Sequence, residues 1–138
     1  THVIEYALVP HGDAWSPGAA TRAGAAFNMP LVVMSSAFHE GDLPLSHTFV
    51  AVEPTHVQLA ALKRSENGEG IVLRLHNTAN EPVEARISLS DVLTSPELEV
   101  AEVDTLERPL RDGRADWDEE TLAVPMEPAS VVSVRVTL

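Results

Sequence analysis

The sequence predicts an all-β protein, an antiparallel β-sandwich of the Ig-like type with one short helix near the N-terminus. Short runs of alternating apolar and polar residues recur along the chain, as expected of strands that bury one face. Pro, Gly, Asn and Asp lie between these runs and favour turns. A chain of 138 residues is long enough to bury a core of its own, and it contains no cysteine with which to form disulfides.

The N-terminal part predicts a strand, a helix and a second strand. Residues 2–9 (HVIEYALV) alternate like a half-buried strand, and alanine-rich residues 19–27 favour a helix. Residues 31–37 are predicted to form a buried strand, and the polar connector at residues 39–44 follows. We place a provisional domain boundary in this connector.

The clearest element is a hairpin in residues 57–77. Its arms, residues 57–64 and 71–77, alternate with period 2, and the turn at residues 66–70 contains two glycines that tolerate positive φ. In residues 83–89 the odd-numbered apolar side chains are predicted to face the core. The remaining strands are predicted at residues 48–52, 83–89, 99–104, 122–124 and 131–138.

The formal charge of −12 argues against a nucleic-acid partner and against an anionic membrane, because both need a basic surface. No apolar run of membrane-spanning length and no signal-like start is present. With the absence of cysteine, this composition predicts a cytoplasmic protein. Because strand-like sequence begins directly after Thr1, we expect a fragment of a longer protein whose natural end is at or near Leu138.

No metal site or catalytic group is predicted from the residues themselves. The six histidines show neither a helical HxxxH nor a strand HxH spacing, and no serine lies in a nucleophile motif. His11 and Asp13 are spaced to act as a base and its orienting carboxylate, but both residue types are common in turn-rich loops. The acidic run at residues 116–120 is predicted to be a solvated turn, with a cation site as the alternative.

Exposed aromatic and basic side chains are the candidates for ligand or domain contacts. Trp15 and, with less support, Trp117 offer an indole face to a sugar, although packing against the protein is the commoner role. Arg74 and His76 share one face of the second hairpin arm. An acid such as Glu84 is the expected partner of Arg74, and a neighbouring domain is the alternative.

Several stretches resemble a known family when they are taken in order. They are His2…Tyr6-Ala7-Leu8…Pro10-His11-Gly12…Trp15, Ala26-Phe27-Asn28…Pro30-Leu31, Ala61-Leu62-Lys63…Glu66…Gly68…Gly70-Ile71-Val72-Leu73-Arg74-Leu75…Asn77, Glu81-Pro82-Val83 and Asp104…Leu106-Glu107. Together they are similar to the C-terminal end of family 38 glycoside hydrolases, the α-mannosidases.

The resemblance implies a longer parent enzyme. In this family a catalytic barrel with a zinc ion and an aspartate nucleophile precedes a three-helix bundle and β-sandwich domains. Residues 1–44 would then be the strand–helix–strand tail of a preceding large β-sandwich, and residues 45–138 a small C-terminal sandwich. None of the family's zinc ligands or its nucleophile can be placed on this sequence. The chain itself is therefore expected to be inactive and without a cofactor, with zinc in the parent's catalytic domain.

The expected partners are the rest of the parent enzyme, namely its catalytic barrel and large β-sandwich, and the parent's carbohydrate substrate. The resemblance implies that the C-terminal domain packs on the barrel, which makes Arg74, Asn77, His11 and Trp15 candidates for the substrate rim or an interdomain contact. Two alternatives stay open. One is a free-standing carbohydrate-binding module that uses Trp15, and the other is an Ig-like interaction domain that pairs through an exposed strand edge.

Overall fold

The computed structural model describes residues 2–12, 17–38, 40–118 and 120–137. One helix and eight strands lie in these residues, together with a 3₁₀ turn at Asp91–Leu93. The elements are α1 (Pro17–Asn28), β1 (Val50–Glu53), β2 (Val57–Arg64), β3 (Gly70–Asn77), β4 (Val83–Leu89), β5 (Glu99–Val103), β6 (Asp116–Trp117), β7 (Thr121–Met126) and β8 (Val131–Thr137).

The strands form two antiparallel four-stranded sheets that pack face to face. Sheet 1 has the order β1-β4-β7-β6, and sheet 2 has the order β2-β3-β8-β5. The predicted hairpin is β2–β3, with Val57 opposite Asn77, Arg64 opposite Ile71 and a register shift between Leu59 and Ala61. The predicted all-β sandwich fold is confirmed.

The core lies between the two sheets, and both contribute fully buried side chains to it. From sheet 2 it receives inward-facing residues such as Leu73, Leu75 and Val134, and from sheet 1 residues such as Ile87 and Leu122. The predicted inward side of residues 83–89 is confirmed, because every second side chain of β4 faces this core. Burial of these apolar groups is the main force that joins the sheets.

The acidic run contains a strand that the sequence did not predict. Asp116 and Trp117 form β6 and pair with Ala123 and Leu122 of β7, so the expectation of a turn is wrong for these two residues. Trp117 packs against the core, and this apolar contact outweighs the acidic neighbours that suggested a turn. The chain reverses at Asp118, whose Oδ1 accepts a backbone N–H from Thr121 at 2.6 Å.

The N-terminal part contains α1 and neither of the two predicted strands within its described residues. The helix agrees with the prediction, and Arg22 Nη1 donates to the Thr55 carbonyl at the β1–β2 turn at 3.4 Å. Residues 2–9 and 31–37 carry no strand, and their apolar side chains are exposed, for example 84% for Ile4 and 94% for Leu31. A strand needs a hydrogen-bonding neighbour, and these segments pair with no described strand. The domain boundary near residue 44 stays a prediction.

Candidate functional site

The sequence-based site residues do not converge on one site in the described part of the chain. His11 is exposed, and its Nδ1 donates to the neighbouring Gly12 carbonyl at 3.2 Å. Asp13, its proposed orienting carboxylate, and Trp15 lie outside the described residues. The proposed acid–base pair and the stacking role of Trp15 therefore stay predictions.

Arg74 lies on the outer face of sheet 2 and is half-buried. Its Nε donates to Ser133 Oγ of the adjacent strand β8 at 3.0 Å. The expected pairing with Glu84 is wrong, because β4 belongs to the other sheet and Glu84 instead accepts from Arg86 at 3.0 Å. A contact of Arg74 with another domain stays a prediction.

Asn77 occupies a different environment from the one a rim residue needs. Its side chain is fully buried, and its Nδ2 donates to the carbonyls of Glu81 at 2.8 Å and Glu127 at 3.0 Å. Its Oδ1 accepts the backbone N–H of Ala79 at 3.0 Å. These bonds use both amide hydrogens, and Asn77 has no exposed surface for another domain to contact. Its role is to join the β3–β4 turn to the segment that precedes β8.

One polar cluster that joins distant parts of the chain is centred on Glu107, in the loop that follows β5. Glu107 Oε1 accepts from Lys63 Nζ at 2.7 Å, and Oε2 accepts the backbone N–H of Glu66 at 2.7 Å. Lys63 also pairs with the Glu66 carboxylate. We call Lys63, Glu66 and Glu107 the hairpin clamp. It joins the β2–β3 hairpin to a loop 41 residues away from Glu66 in sequence.

The hairpin clamp holds this loop over the outer face of sheet 2. Arg135 of β8 donates to the Glu107 carbonyl at 3.4 Å, and Pro109 forms an isolated bridge with Val103. Val72 of β3 is paired with Lys63 of β2 on one side and with Arg135 of β8 on the other. It faces outward, yet its side chain is only 1% exposed. Glu107 itself adopts φ 60°, an uncommon conformation for a residue with a side chain. These contacts hold the loop beside the outer face of sheet 2.

The hydrogen bonds of the hairpin clamp shift the pKa values of Lys63 and Glu107. The hydrogen bond from Lys63, supported by the Glu66 N–H, lowers the pKa of Glu107 below its ordinary 4.5. The hydrogen bond to Glu107, and then that to Glu66, raises the pKa of Lys63 above 10.5. In the same loop, hydrogen bonds from the Arg108 backbone and side chain lower the pKa of Asp104 below 3.8. All three shifts favour the charged forms in the folded protein.

Replacing Glu107 with glutamine is expected to lower the thermal midpoint at pH 7 by a few degrees, because it removes the carboxylate on which the hairpin clamp depends. A carboxyl with a lowered folded pKa contributes stability that is present above its unfolded pKa and lost as pH falls through the folded value. The difference between wild type and Glu107→Gln should therefore shrink below pH 4.5. Thermal melts from pH 7 to pH 3 measure this.

The matched control is Glu97→Gln, which neutralises an exposed carboxylate in the loop before β5. This variant should follow the wild-type melting curve across the same range. A stability loss for Glu107→Gln that is equal at pH 7 and pH 3 would show that the charge of Glu107 does not stabilise the loop.

A serine–histidine contact was not anticipated from the sequence. His47 Nε2 and Ser90 Oγ are 2.7 Å apart, and the His47 ring meets Phe49 edge-on at a centroid distance of 4.8 Å. Such a pair serves nucleophilic catalysis when a third group orients the imidazole and donors receive the oxyanion. Beside it, the Ser90 N–H donates to the Phe49 carbonyl at 2.9 Å. These bonds tie the segment before β1 to the end of β4, which is a structural role.

The described residues contain no group of three or more histidine, aspartate or glutamate side chains placed to hold a metal ion. Helical segments long and apolar enough to cross a membrane are likewise not found among the residues that the structure describes.

The fold and its contacts define an antiparallel β-sandwich domain whose most extensive polar contacts hold its own loops and turns in place. The chain belongs to the family described as the glycosyl hydrolases family 38 C-terminal beta sandwich domain, whose model matches residues 56–134. This range runs from the β1–β2 turn into β8 and covers more than half of the chain. Neither a curated protein nor a solved structure matches the chain.

The family match confirms the resemblance seen in the sequence, and it includes all three members of the hairpin clamp. The quoted stretches before residue 56 lie outside the matched range. Sequence reasoning noted Lys63 and Glu66 in one stretch and Glu107 in another, and the structure brings the two stretches together. The order of those stretches was a signal of common family, but it carried no information on which of them touch.

Proposed function

We propose that this chain is the non-catalytic C-terminal β-sandwich part of an α-mannosidase-like glycoside hydrolase, that it stabilises the catalytic barrel and that it borders the substrate entrance. The observation that carries this proposal is the family match over the sandwich. The parent's zinc and nucleophile would be supplied by the upstream domains, and the chain would act in the cytoplasm.

The exposed N-terminal segments support an interdomain role. Apolar side chains such as Val3, Leu8, Val32 and Met34 are each more than 80% exposed. So many large exposed apolar side chains in two short segments are typical of an interaction site. A neighbouring sandwich that supplied strand partners would both bury these side chains and satisfy the backbone, as the predicted strands at residues 2–9 and 31–37 require.

The positions open to a rim contact are fewer than the sequence suggested. The Asn77 side chain is fully buried and hydrogen-bonded at the β3–β4 turn. By contrast, His11 is exposed, and Arg74 is half-buried on the outer face of sheet 2. Arg74 already bonds to Ser133, so it would reach another domain with the guanidinium nitrogens that this bond leaves unused. We therefore propose Arg74 and His11, with Trp15, as the interdomain candidates.

The test of this function is hydrolysis of an aryl α-mannoside. We expect the purified 138-residue chain to show only the background rate, while the parent protein encoded with its upstream domains hydrolyses the substrate. Mixing the separately produced upstream part with the chain should restore part of the rate, with circular dichroism to establish that the chain is folded. Hydrolysis by the chain alone at a rate comparable with a full-length family enzyme would overturn the proposal.

In the parent enzyme, the substitution Arg74→Ala tests whether Arg74 contacts the substrate rim or only stabilises the domain. A rim role predicts a raised KM with little change in melting temperature, and Arg86→Ala, which removes an exposed arginine on the other sheet, is the matched control. Equal effects of the two substitutions on KM would count against a specific role for Arg74.

A further inference from the structure

A cavity of about 650 Å³ lies where β5 and β6, the edge strands of the two sheets, come together. Small-molecule sites typically enclose about 300–1,000 Å³, so this cavity is of suitable size for a compact ligand. The loop that precedes β5 forms one wall and β6 the other. The lining residues are Thr94, Ser95, Pro96, Leu98 and Trp117.

The walls combine one large aromatic ring with hydroxyl groups. Trp117 is half-buried, and it contacts the core while also lining the cavity. An indole offers an apolar face and a single N–H donor. Thr94 and Ser95 add hydroxyls, and each hydroxyl can both donate and accept. Thr94 Oγ1 donates to the Asp91 carbonyl at 3.3 Å, a long hydrogen bond.

The Ser95 hydroxyl lacks a partner. Its Oγ is buried and makes no hydrogen bond to any described residue. Buried polar atoms without partners are rare in folded proteins, because desolvation without a hydrogen bond costs stability. A serine side chain turns among three staggered positions, so a change of rotamer would bring this oxygen to a polar group that entered the cavity.

Charge restricts the class of ligand that fits. The lining side chains are uncharged, whereas Glu97, Asp116 and Asp118 lie next to them in the chain. The local field therefore disfavours phosphates and carboxylates. A neutral ligand that has an apolar face and several hydroxyls matches both the indole and the serine.

We propose that this cavity binds the ring of a neutral sugar, with the apolar face of the ring against the Trp117 indole and a ring hydroxyl bonded to Ser95 Oγ. The site does not rest on the function proposed above, because its walls lie wholly within this chain. A sugar held here would be recognised by stacking and by a hydroxyl contact, a combination that gives weak and reversible binding.

The proposal is tested by titrating the isotope-labelled chain with methyl α-mannopyranoside and methyl β-glucopyranoside in heteronuclear NMR spectra. We expect the Trp117 indole signal and the backbone signals of Thr94, Ser95 and Leu98 to shift together, with a dissociation constant on the order of millimolar for at least one sugar. Ser95→Ala should weaken binding at least threefold and Trp117→Ala at least tenfold. Thermal melts establish that each variant is folded.

Phe38→Ala is the control, since it removes a 97% exposed aromatic ring that does not line the cavity. It should leave the titration unchanged. Because Trp117 also packs on the core, Ser95→Ala and the wild-type shift pattern decide the outcome if Trp117→Ala does not fold. Shifts confined to residues away from the cavity, or no shift with either sugar, would overturn the proposal. Choline is titrated in the same way as a cationic comparison. Shifts with choline but with neither sugar would also overturn the proposal and would identify a cation–π site.

Discussion

Replacement of Gly70 by alanine is expected to unfold the domain or to lower its free energy of unfolding by about 4 kcal/mol or more, which is outside the range of ordinary substitutions. Gly70 begins β3 and faces Thr137 of β8 in register. A Cβ placed on it would lie 2.0 Å from the backbone carbonyl oxygen of Val136 and 2.9 Å from the carbonyl carbon. Because both atoms belong to the backbone of a neighbouring strand, no side-chain rotation relieves the clash.

Two other glycines serve as controls for this prediction in urea unfolding curves. Gly24 lies in α1 with open space where a Cβ would be, so Gly24→Ala should leave stability unchanged or raise it by up to about 1 kcal/mol. Gly68 has φ +79° in the hairpin turn, and alanine there should cost about 1–2 kcal/mol through backbone strain. Equal effects of Gly70→Ala and Gly24→Ala would show that β3 and β8 are not so closely paired.

The strands that the sequence predicted well are those whose signal is local. In β2 and β4 the alternation of apolar and polar residues gives the same bounds as the structure, because one face of each strand must be buried against a sheet. The hairpin turn was also readable, since Gly68 supplies the positive φ that it needs. These features depend on neighbours within a few residues.

Features that depend on distant residues could not be predicted. Arg74 and Ser133 are 59 residues apart in the chain, and they meet because β3 pairs with β8 and not with β4. The hairpin clamp likewise joins Lys63 to a residue 44 positions later. Period-2 alternation shows that a strand has a buried face, but it does not identify the neighbouring strand. The choice of Glu84 as a partner for Arg74 was wrong for this reason.

Trp117 and the N-terminal segments show two ways in which a sequence pattern and the described structure differ. Acidic neighbours of Trp117 suggested a turn, whereas its indole packs on the core and a two-residue strand forms. Residues 2–9 and 31–37 alternate or are apolar, which suggested strands, and the described chain offers them no pairing partner. The sequence pattern shows how much apolar surface a segment could bury. Whether that surface is buried depends on tertiary contacts, which the pattern does not show.

Asn77→Ala is expected to lower the free energy of unfolding by about 3 kcal/mol, because it removes a fully buried amide together with the three hydrogen bonds that it makes. The carbonyls of Glu81 and Glu127 would lose their donors, and the N–H of Ala79 would lose its acceptor. Asn80→Ala, in the same turn but exposed, is the matched control and should change stability by less than about 0.5 kcal/mol. Urea unfolding curves compare the two.

Asn77→Asp tests the direction of these bonds, since it keeps the size of the side chain and replaces the amide donors by an acceptor. A carboxylate facing the Glu81 and Glu127 carbonyls is disfavoured, so its folded pKa should rise above that of an ordinary aspartate. The penalty is then largest above the folded pKa and shrinks as pH falls through it. If Asn77→Asp were as stable as wild type at pH 7, the bonds of Asn77 would not hold this turn. In the proposed parent enzyme the same substitutions should reduce the amount of folded protein and leave KM unchanged, because Asn77 has no exposed surface with which to touch a substrate.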